Sequence, residues 1–171
     1  IPLGAAMLGS VKAASNFDSA FTGVKKTVDE AKDSNGKTII SYKDLENGIR
    51  SMAKSIPVST TEISHVAEAA GQLGIKTKNV LSFTKTMVAM GKATNMSSED
   101  ASVALAKLAN ITGMPQKNFD RLGSSIVNLG NNMATTESDI VEMSLRLAGS
   151  GHQVGMTEAQ ITGLAAAMSS V

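Results

Sequence analysis

The stretch Ala93–Ser102 reads ATNMSSEDAS, and the same phrase returns as ITGMPQKNF (111–119), GNNMATTESD (130–139) and HQVGMTEAQI (152–161). Each copy sets a Gly or Asn before a methionine, then small polar residues, then a carboxylate or amide. A hydroxyl followed three residues later by Asp, Glu or Gln is a helix-starting device. The hydroxyl accepts an unpaired N–H of the first turn, and the later side chain reaches back to the cap. Ser59/Glu62, Ser97/Asp100, Thr136/Asp139 and Thr157/Gln160 all have this spacing, while Thr77 and Pro115 mark two further starts, proline being suited to the first helical position. The six starts lie 18, 20, 18, 21 and 21 residues apart. The phrase is therefore punctuation between helices, and it predicts a common structural unit rather than a repeated active site.

Between these starts the apolar residues keep helical spacing. The runs are Ile63/Val66/Ala67/Ala70, Val80/Leu81/Thr84/Met87/Val88/Gly91, Ala101/Ala104/Leu105/Leu108, Phe119/Leu122/Ile126/Leu129, Ile140/Val141/Ser144/Leu145/Ala148 and Ile161/Leu164/Ala165/Met168. Gly74, Gly91, Gly113, Gly130 and Gly149 stand near the expected ends, where left-handed caps favour glycine. Helices this short are marginal alone, so each must bury its stripe against neighbours.

Upstream, Leu3, Met7, Ser10, Ala14, Phe17, Phe21, Val24, Val28 and Ala31 alternate in steps of four and three, a heptad seam broken only by Ser10. Two readings fit: a long helix lying across its own domain, or a supercoil with a partner helix. The apolar members Leu3, Met7, Ala14, Phe17, Phe21, Val24, Val28 and Ala31 form a candidate self-association seam. KDSNGKTIISYKD (32–44) interrupts the pattern. Asn35-Gly36 is a turn signal and Thr38–Ile40 is β-branched, which predicts a loop with one short strand. Helicity resumes through Leu45, Ile49, Met52, Ala53 and Ile56 and stops at Pro57. The expected fold is all-α: a long N-terminal helix followed by a bundle of short helices joined by tight capped turns. The expected organisation is residues 1–58 (heptad helix, loop and second helix) and residues 59–171 (a helical module of about six short helices).

Composition narrows the function. The chain of 171 residues has no Trp, one Tyr, four Phe and ten Met, so its core is built from small and pliable side chains. Its net charge of +1 is spread evenly, with ten basic against eight acidic residues in 1–80 and six against seven in 81–171. Strong nonspecific binding to nucleic acid or anionic lipid is not implied. Without cysteine there is no disulfide or thiolate chemistry. No apolar run approaches the roughly 20 residues of a membrane span. The chain starts without Met, IPLGAAML lacks a basic flank, and the sequence has the look of an excised piece of something longer.

The candidate sites are weak. His65 and His152 have no second ligand at metal spacing. GSGHQVGMT (149–157) lacks the lysine of a phosphate loop and reads as a flexible loop between helices. The acids Asp29-Glu30 and Glu99-Asp100 include one pair in a first helical turn, where the helix dipole favours them. No G-x-S-x-G elbow occurs. Asn95 and Asn110 match glycosylation sequons without a secretory signal to support them. AGQLGIKTKNV (70–80) has the outline of a helix-hairpin-helix, whose turn would offer N–H groups to a DNA phosphate beside Lys76 and Lys78. A lysine stands where that motif expects its second glycine.

Four stretches carry a resemblance: TVDEAKDSNGKTIISYKDLENGIRSMAKSIPVSTTEI (27–63), AEAAGQLGIKTKNVLSFTKTMVAMGKATNMSSEDAS (67–102), LAKLANITGMPQKNFDRLGSSIVNLGNNMATTESDI (105–140) and LRLAGSGHQVGMTEAQITGLAAAMSSV (145–171). In them the chain resembles the core region of phage tail tape measure proteins. The resemblance implies a structural protein of the virion, lying inside the tail tube, setting tail length, templating tube assembly and released during genome ejection. It implies no enzymatic activity, no cofactor and no small-molecule substrate. Its implied partners are further copies of itself (a homo-oligomer), the tail tube protein and tail assembly chaperones, with transient contact with DNA or the host membrane. Its implied places are the tail lumen and, during assembly, the host cytoplasm. Alternatives from other classes are a nucleic-acid-contacting helix-hairpin-helix module, a cell-wall hydrolase and a membrane-inserting helical module. The regular turns predict a compact helical module within the tape measure, with the ruler itself mostly outside it.

Overall fold

The computed structural model describes the backbone from Leu3 and the side chains from Ala14 onward. Helix α1 is Leu3–Thr27. A two-stranded antiparallel ribbon, β1 (Ala31–Lys32) and β2 (Thr38–Ile40), follows. Seven more helices complete the chain: α2 (Tyr42–Ser55), α3 (Thr60–Gln72), α4 (Thr77–Ala93), α5 (Ser98–Thr112), α6 (Phe119–Asn132), α7 (Glu137–Gln153) and α8 (Glu158–Ser169), with one 3-10 turn at Gln116–Asn118. The protein is all-α, as the punctuation predicts, and all six expected helices of 59–171 are present. The predicted single strand is a pair. The Asp33 carboxylate accepts the N–H groups of Asn35 and Lys37, both at 2.9 Å, and Gly36 takes φ +79°. That turn folds Thr38–Ile40 back on Ala31–Lys32, giving the β-branched run a partner.

The hydroxyl half of all four expected capping pairs is present. The side chains of Ser59, Ser97, Thr136 and Thr157 accept the N–H of Glu62, Asp100, Asp139 and Gln160, and Thr157/Gln160 forms the full reciprocal box. Ser41 and Asp44 form a second full box at the start of α2.

The glycines divide. Gly74 and Gly113 have φ of +76° and +67°, the left-handed ends predicted for them, and Gly155, not singled out in the sequence, joins them at +83°. Gly91, Gly130 and Gly149 are instead within α4, α6 and α7. At Gly91 the reason is steric. A Cβ there would lie 2.7 Å from the backbone nitrogen of Ser98, so glycine lets the end of α4 meet the start of α5.

These three left-handed turns reveal a larger unit. After each one, residue by residue, come GIKTKNVLSFTKTMVAM (74–90), GMPQKNFDRLGSSIVNL (113–129) and GMTEAQITGLAAAMSSV (155–171). The residue after the glycine is apolar and half or fully buried: Ile75, Met114 and Met156. Its N–H bonds back to a carbonyl of the helix just ended, Ala70, Ala109 or Gly151, at 3.0, 2.9 and 2.9 Å. Hydroxyl caps and glycine caps alternate, so the unit is two helices long. The pairs are α3–α4, α5–α6 and α7–α8, with glycines 39 and 42 residues apart.

The chain forms two compact units, residues 1–81 and 82–171, with the division inside α4. The sequence grouping set its break between 58 and 59; in the structure α3 packs with α1 and α2. In the first unit, Phe17, Ala20, Phe21, Val24 and Val28 are buried together with Leu45, Ile49, Ile63, Val66, Ala67 and Ala70. The Thr27 hydroxyl donates to the Glu68 carbonyl at 3.0 Å, and Thr77 to the Asp29 carbonyl at 2.7 Å. The Arg50 guanidinium lies 4.0 Å over the Phe17 ring while its Nε donates to Glu46 at 2.9 Å. In the second unit α7 and α8 pack on one another, α5 packs on α7, and α6 meets both α7 and α8. Phe83, missed by the stripe drawn through Thr84, is buried and meets Phe119 edge to face with centroids 4.7 Å apart. Buried hydroxyls bond to their own helix: Ser102 to Ser98, Ser144 to Ile140 and Thr162 to Glu158, each at 2.7 Å. This arrangement keeps those three hydroxyls paired where helices pack closely.

Candidate interaction surface

Surfaces, rather than a reaction centre, are what the helices build. Among the described residues no three His, Cys, Asp or Glu side chains are placed to hold a metal ion, and no helix is long and apolar enough to cross a membrane. His65 is exposed on α3. His152 is also exposed, but it is helical. The expected loop 149–157 is mostly the last turns of α7, and only Val154–Met156 turn the chain. Helix continues through these glycines because Gly151 is buried against α8, where a Cβ would come within 2.8 Å of Ile161.

The hairpin turn at 70–80 is used up internally. The N–H groups of Gly74 and Ile75 donate to the carbonyls of Gly71 and Ala70, both at 3.0 Å, so neither is aimed at an external phosphate. Its counterparts at Gly113 and Gly155 carry Pro115 and Thr157 in place of Lys76.

The seam residues separate into three groups. Phe17, Phe21, Val24 and Val28 are buried within the first unit, where α1 lies on α3. Ala14 is exposed, and Ala31 is half-buried in β1, beyond the end of the helix. Leu3 and Met7 lie outside the described side chains. A second copy reaching the seam from Phe17 onward would have to displace α3.

Two surface features of the second unit stand out. One is a groove of about 650 Å³ between α4 and α6, with Met90 and Phe119 among its lining residues and Lys85, Lys117, Asp120 and Asn128 at polar positions along it. The other is the outer side of α8, where Gly163, Leu164, Ala167 and Met168 are exposed, Leu164 at 42% and Met168 at 48%. The Ser41 hydroxyl and backbone N–H hold the Asp44 carboxyl below its ordinary value, and Arg50 followed by Lys43 does the same for Glu46.

A family model for phage-related minor tail proteins matches residues 46–171. The chain belongs to that family. The match takes in most of α2 and all of α3 to α8, so the recurring two-helix units are the family's own region. Membership gives the chain a structural role in a phage tail, within the virion and among other tail components. Comparison with curated proteins and with solved structures finds no match.

Proposed function

We propose that this tail protein is a segment of the tape measure, the component that sets tail length, templates the tube and leaves during genome ejection. The observation that carries the reading is the family match over 46–171, which falls on the same stretches that resemble tape measure cores. The capped turns support a segment folded as a series of short helices. A continuous helix of 171 residues would cover roughly 250 Å at ~1.5 Å per residue, and caps every twenty residues are unfavourable to it. The ruler is then mostly sequence outside this segment. Its partners in this reading are the tube protein and the assembly chaperones, and its work is done by surfaces and not by a reaction.

The test is an in-frame deletion of this segment from the parent gene, followed by electron microscopy of the particles. A tape measure without its core gives no tails or tails of altered length. Tails of normal length and number that lack only a tip or fibre component would assign the chain to another minor tail role. The turn at Gly74 gives the nucleic-acid reading its own check: a salt-dependent shift of duplex DNA that is lost in the Lys76→Ala/Lys78→Ala variant supports it, and no shift at low salt removes it.

A further inference from the structure

The chain has ten asparagines, and two of them, Asn35 and Asn47, are followed by glycine. An asparagine before glycine is open to attack on its own side chain, because glycine has no Cβ to block the approach of its nitrogen. The two pairs share their local chemistry and sit in opposite backbone settings. Both asparagine side chains are exposed. Asn47-Gly48 lies inside α2, where the Gly48 N–H belongs to the helical ladder and a Cβ at Gly48 would meet the Leu81 side chain at 2.6 Å. Asn35-Gly36 is at the tip of the β1–β2 ribbon, with both residues exposed and Gly36 at φ +79°. The Asp33 carboxylate holds the N–H groups on either side, those of Asn35 and Lys37. The Gly36 N–H between them donates to the Asp33 carbonyl at 3.1 Å.

We infer that Asn35 is a modification site, at which the folded chain loses side-chain ammonia and gains a carboxylate, while Asn47 is kept intact by its helix. The Gly36 nitrogen, its proton given up to solvent base, bonds to the side-chain carbonyl carbon of Asn35. The carbon–nitrogen bond of the side-chain amide breaks, and the amide group takes up a proton and leaves as ammonia. The ring so formed is a succinimide. Water adds at one of its two carbonyl carbons and opens it, giving aspartate or, by way of the main-chain carbonyl, isoaspartate. Water is the one reactant consumed. Closing the ring requires rotation about the Cα–C bond of Asn35, which brings the Gly36 nitrogen onto the side chain. In the turn that rotation releases one exposed hydrogen bond. In α2 it breaks the ladder in mid-helix, and a helix interior opens far less often than an exposed loop tip. Either product adds one negative charge, which cancels the formal net charge of +1. The isoaspartyl form also adds one main-chain atom between Asp33 and Lys37, whose hydrogen bond at 2.9 Å helps to close the turn.

Incubation of the whole chain at body temperature, in mildly alkaline buffer made with heavy-oxygen water, tests the assignment. Oxygen taken up during incubation marks conversion that precedes digestion. Peptide mapping by mass spectrometry follows both sites in one sample, and a parallel sample in urea reports the unfolded chain. In the folded chain Asn35 is expected to convert at least about tenfold faster than Asn47, whereas in urea the two rates are expected to agree within about threefold. Isoelectric focusing is expected to show a more acidic band that grows with time and is absent from Asn35→Gln, a change at an exposed position. No conversion at Asn35 in the folded chain overturns the inference, whether or not the urea sample reacts, and makes the Asp33 clamp a protecting device. Folded-state rates at the two sites that differ no more than in urea overturn it too, as does an acidic band that persists undiminished in Asn35→Gln.

Discussion

Replacing a helical glycine by alanine ordinarily gains about 0.5–1 kcal/mol, because glycine loses more freedom on folding. Three helical glycines of this protein should give three different outcomes. At Gly149, exposed in α7, a Cβ meets nothing within 4 Å, so Gly149→Ala should show the full gain. For a chain of this size that is a rise of about 1–4 °C in Tm. At Gly130 a Cβ comes within 2.6 Å of the Glu137 carboxyl carbon, the far end of a side chain that can swing away, so Gly130→Ala should be near neutral. At Gly91 the obstacles are the Ser98 hydroxyl, nearest of all, and main chain that cannot swing away, the Ser98 nitrogen at 2.7 Å and its Cα at 3.1 Å. Relief there requires the corner between α4 and α5 to open, and such overpacking costs typically 1–3 kcal/mol. The net for Gly91→Ala is a loss of about 1–2 kcal/mol. Urea unfolding of the three variants beside the parent measures the ordering. If Gly91→Ala stabilises as much as Gly149→Ala, the close approach of α4 to Ser98 is wrong, and with it the reason given for that glycine.

Three further outcomes follow from single groups. The Thr84 hydroxyl is buried with no hydrogen-bond partner, so the isosteric Thr84→Val should raise stability by about 1 kcal/mol, read by the same urea titration. Ser97→Ala removes the acceptor of the Asp100 N–H at 3.0 Å and should cost about 1 kcal/mol, whereas Ser97→Gly should cost only a few tenths. The Asp44 carboxyl, held down by Ser41, is stabilised in its charged form. Its contribution is present above the unfolded carboxylate pKa near 4 and is lost as pH falls through the lower folded value. Carbon-detected titration should find Asp44 below the ordinary range and find it moved only part of the way back in Ser41→Ala, which keeps the backbone N–H donor.

Helix starts were legible because capping is local chemistry. Ser59, Ser97, Thr136 and Thr157 each announce themselves through a residue three positions on, and tertiary packing does not change that. Glycine was less legible, since one residue type serves left-handed turns at Gly74 and Gly113 and close approach within a helix at Gly91. Spacing alone cannot tell these uses apart. The pairing of short helices into units of about 39 residues was hidden for the same reason. It becomes visible in the sequence once Gly155, and not Gly149, is taken as the counterpart of Gly113, so that the three segments after the turns align without a gap. Phe83 escaped because a stripe through Leu81 and Thr84 satisfies the same helical period. The heptad stripe was readable as a stripe, but what covers Phe17, Phe21 and Val24 is a tertiary fact, supplied by helices further along the chain, above all α3.

The central claim is that residues 59–171 are six short helices broken at fixed turns, and backbone Cα chemical shifts measure this most directly. The account predicts helical shifts across 60–72, 77–93, 98–112, 119–132, 137–153 and 158–169, with a return to non-helical values at Gly74, Gly113 and Gly155. Helical shifts running unbroken through Gly113 or Gly155 would contradict it.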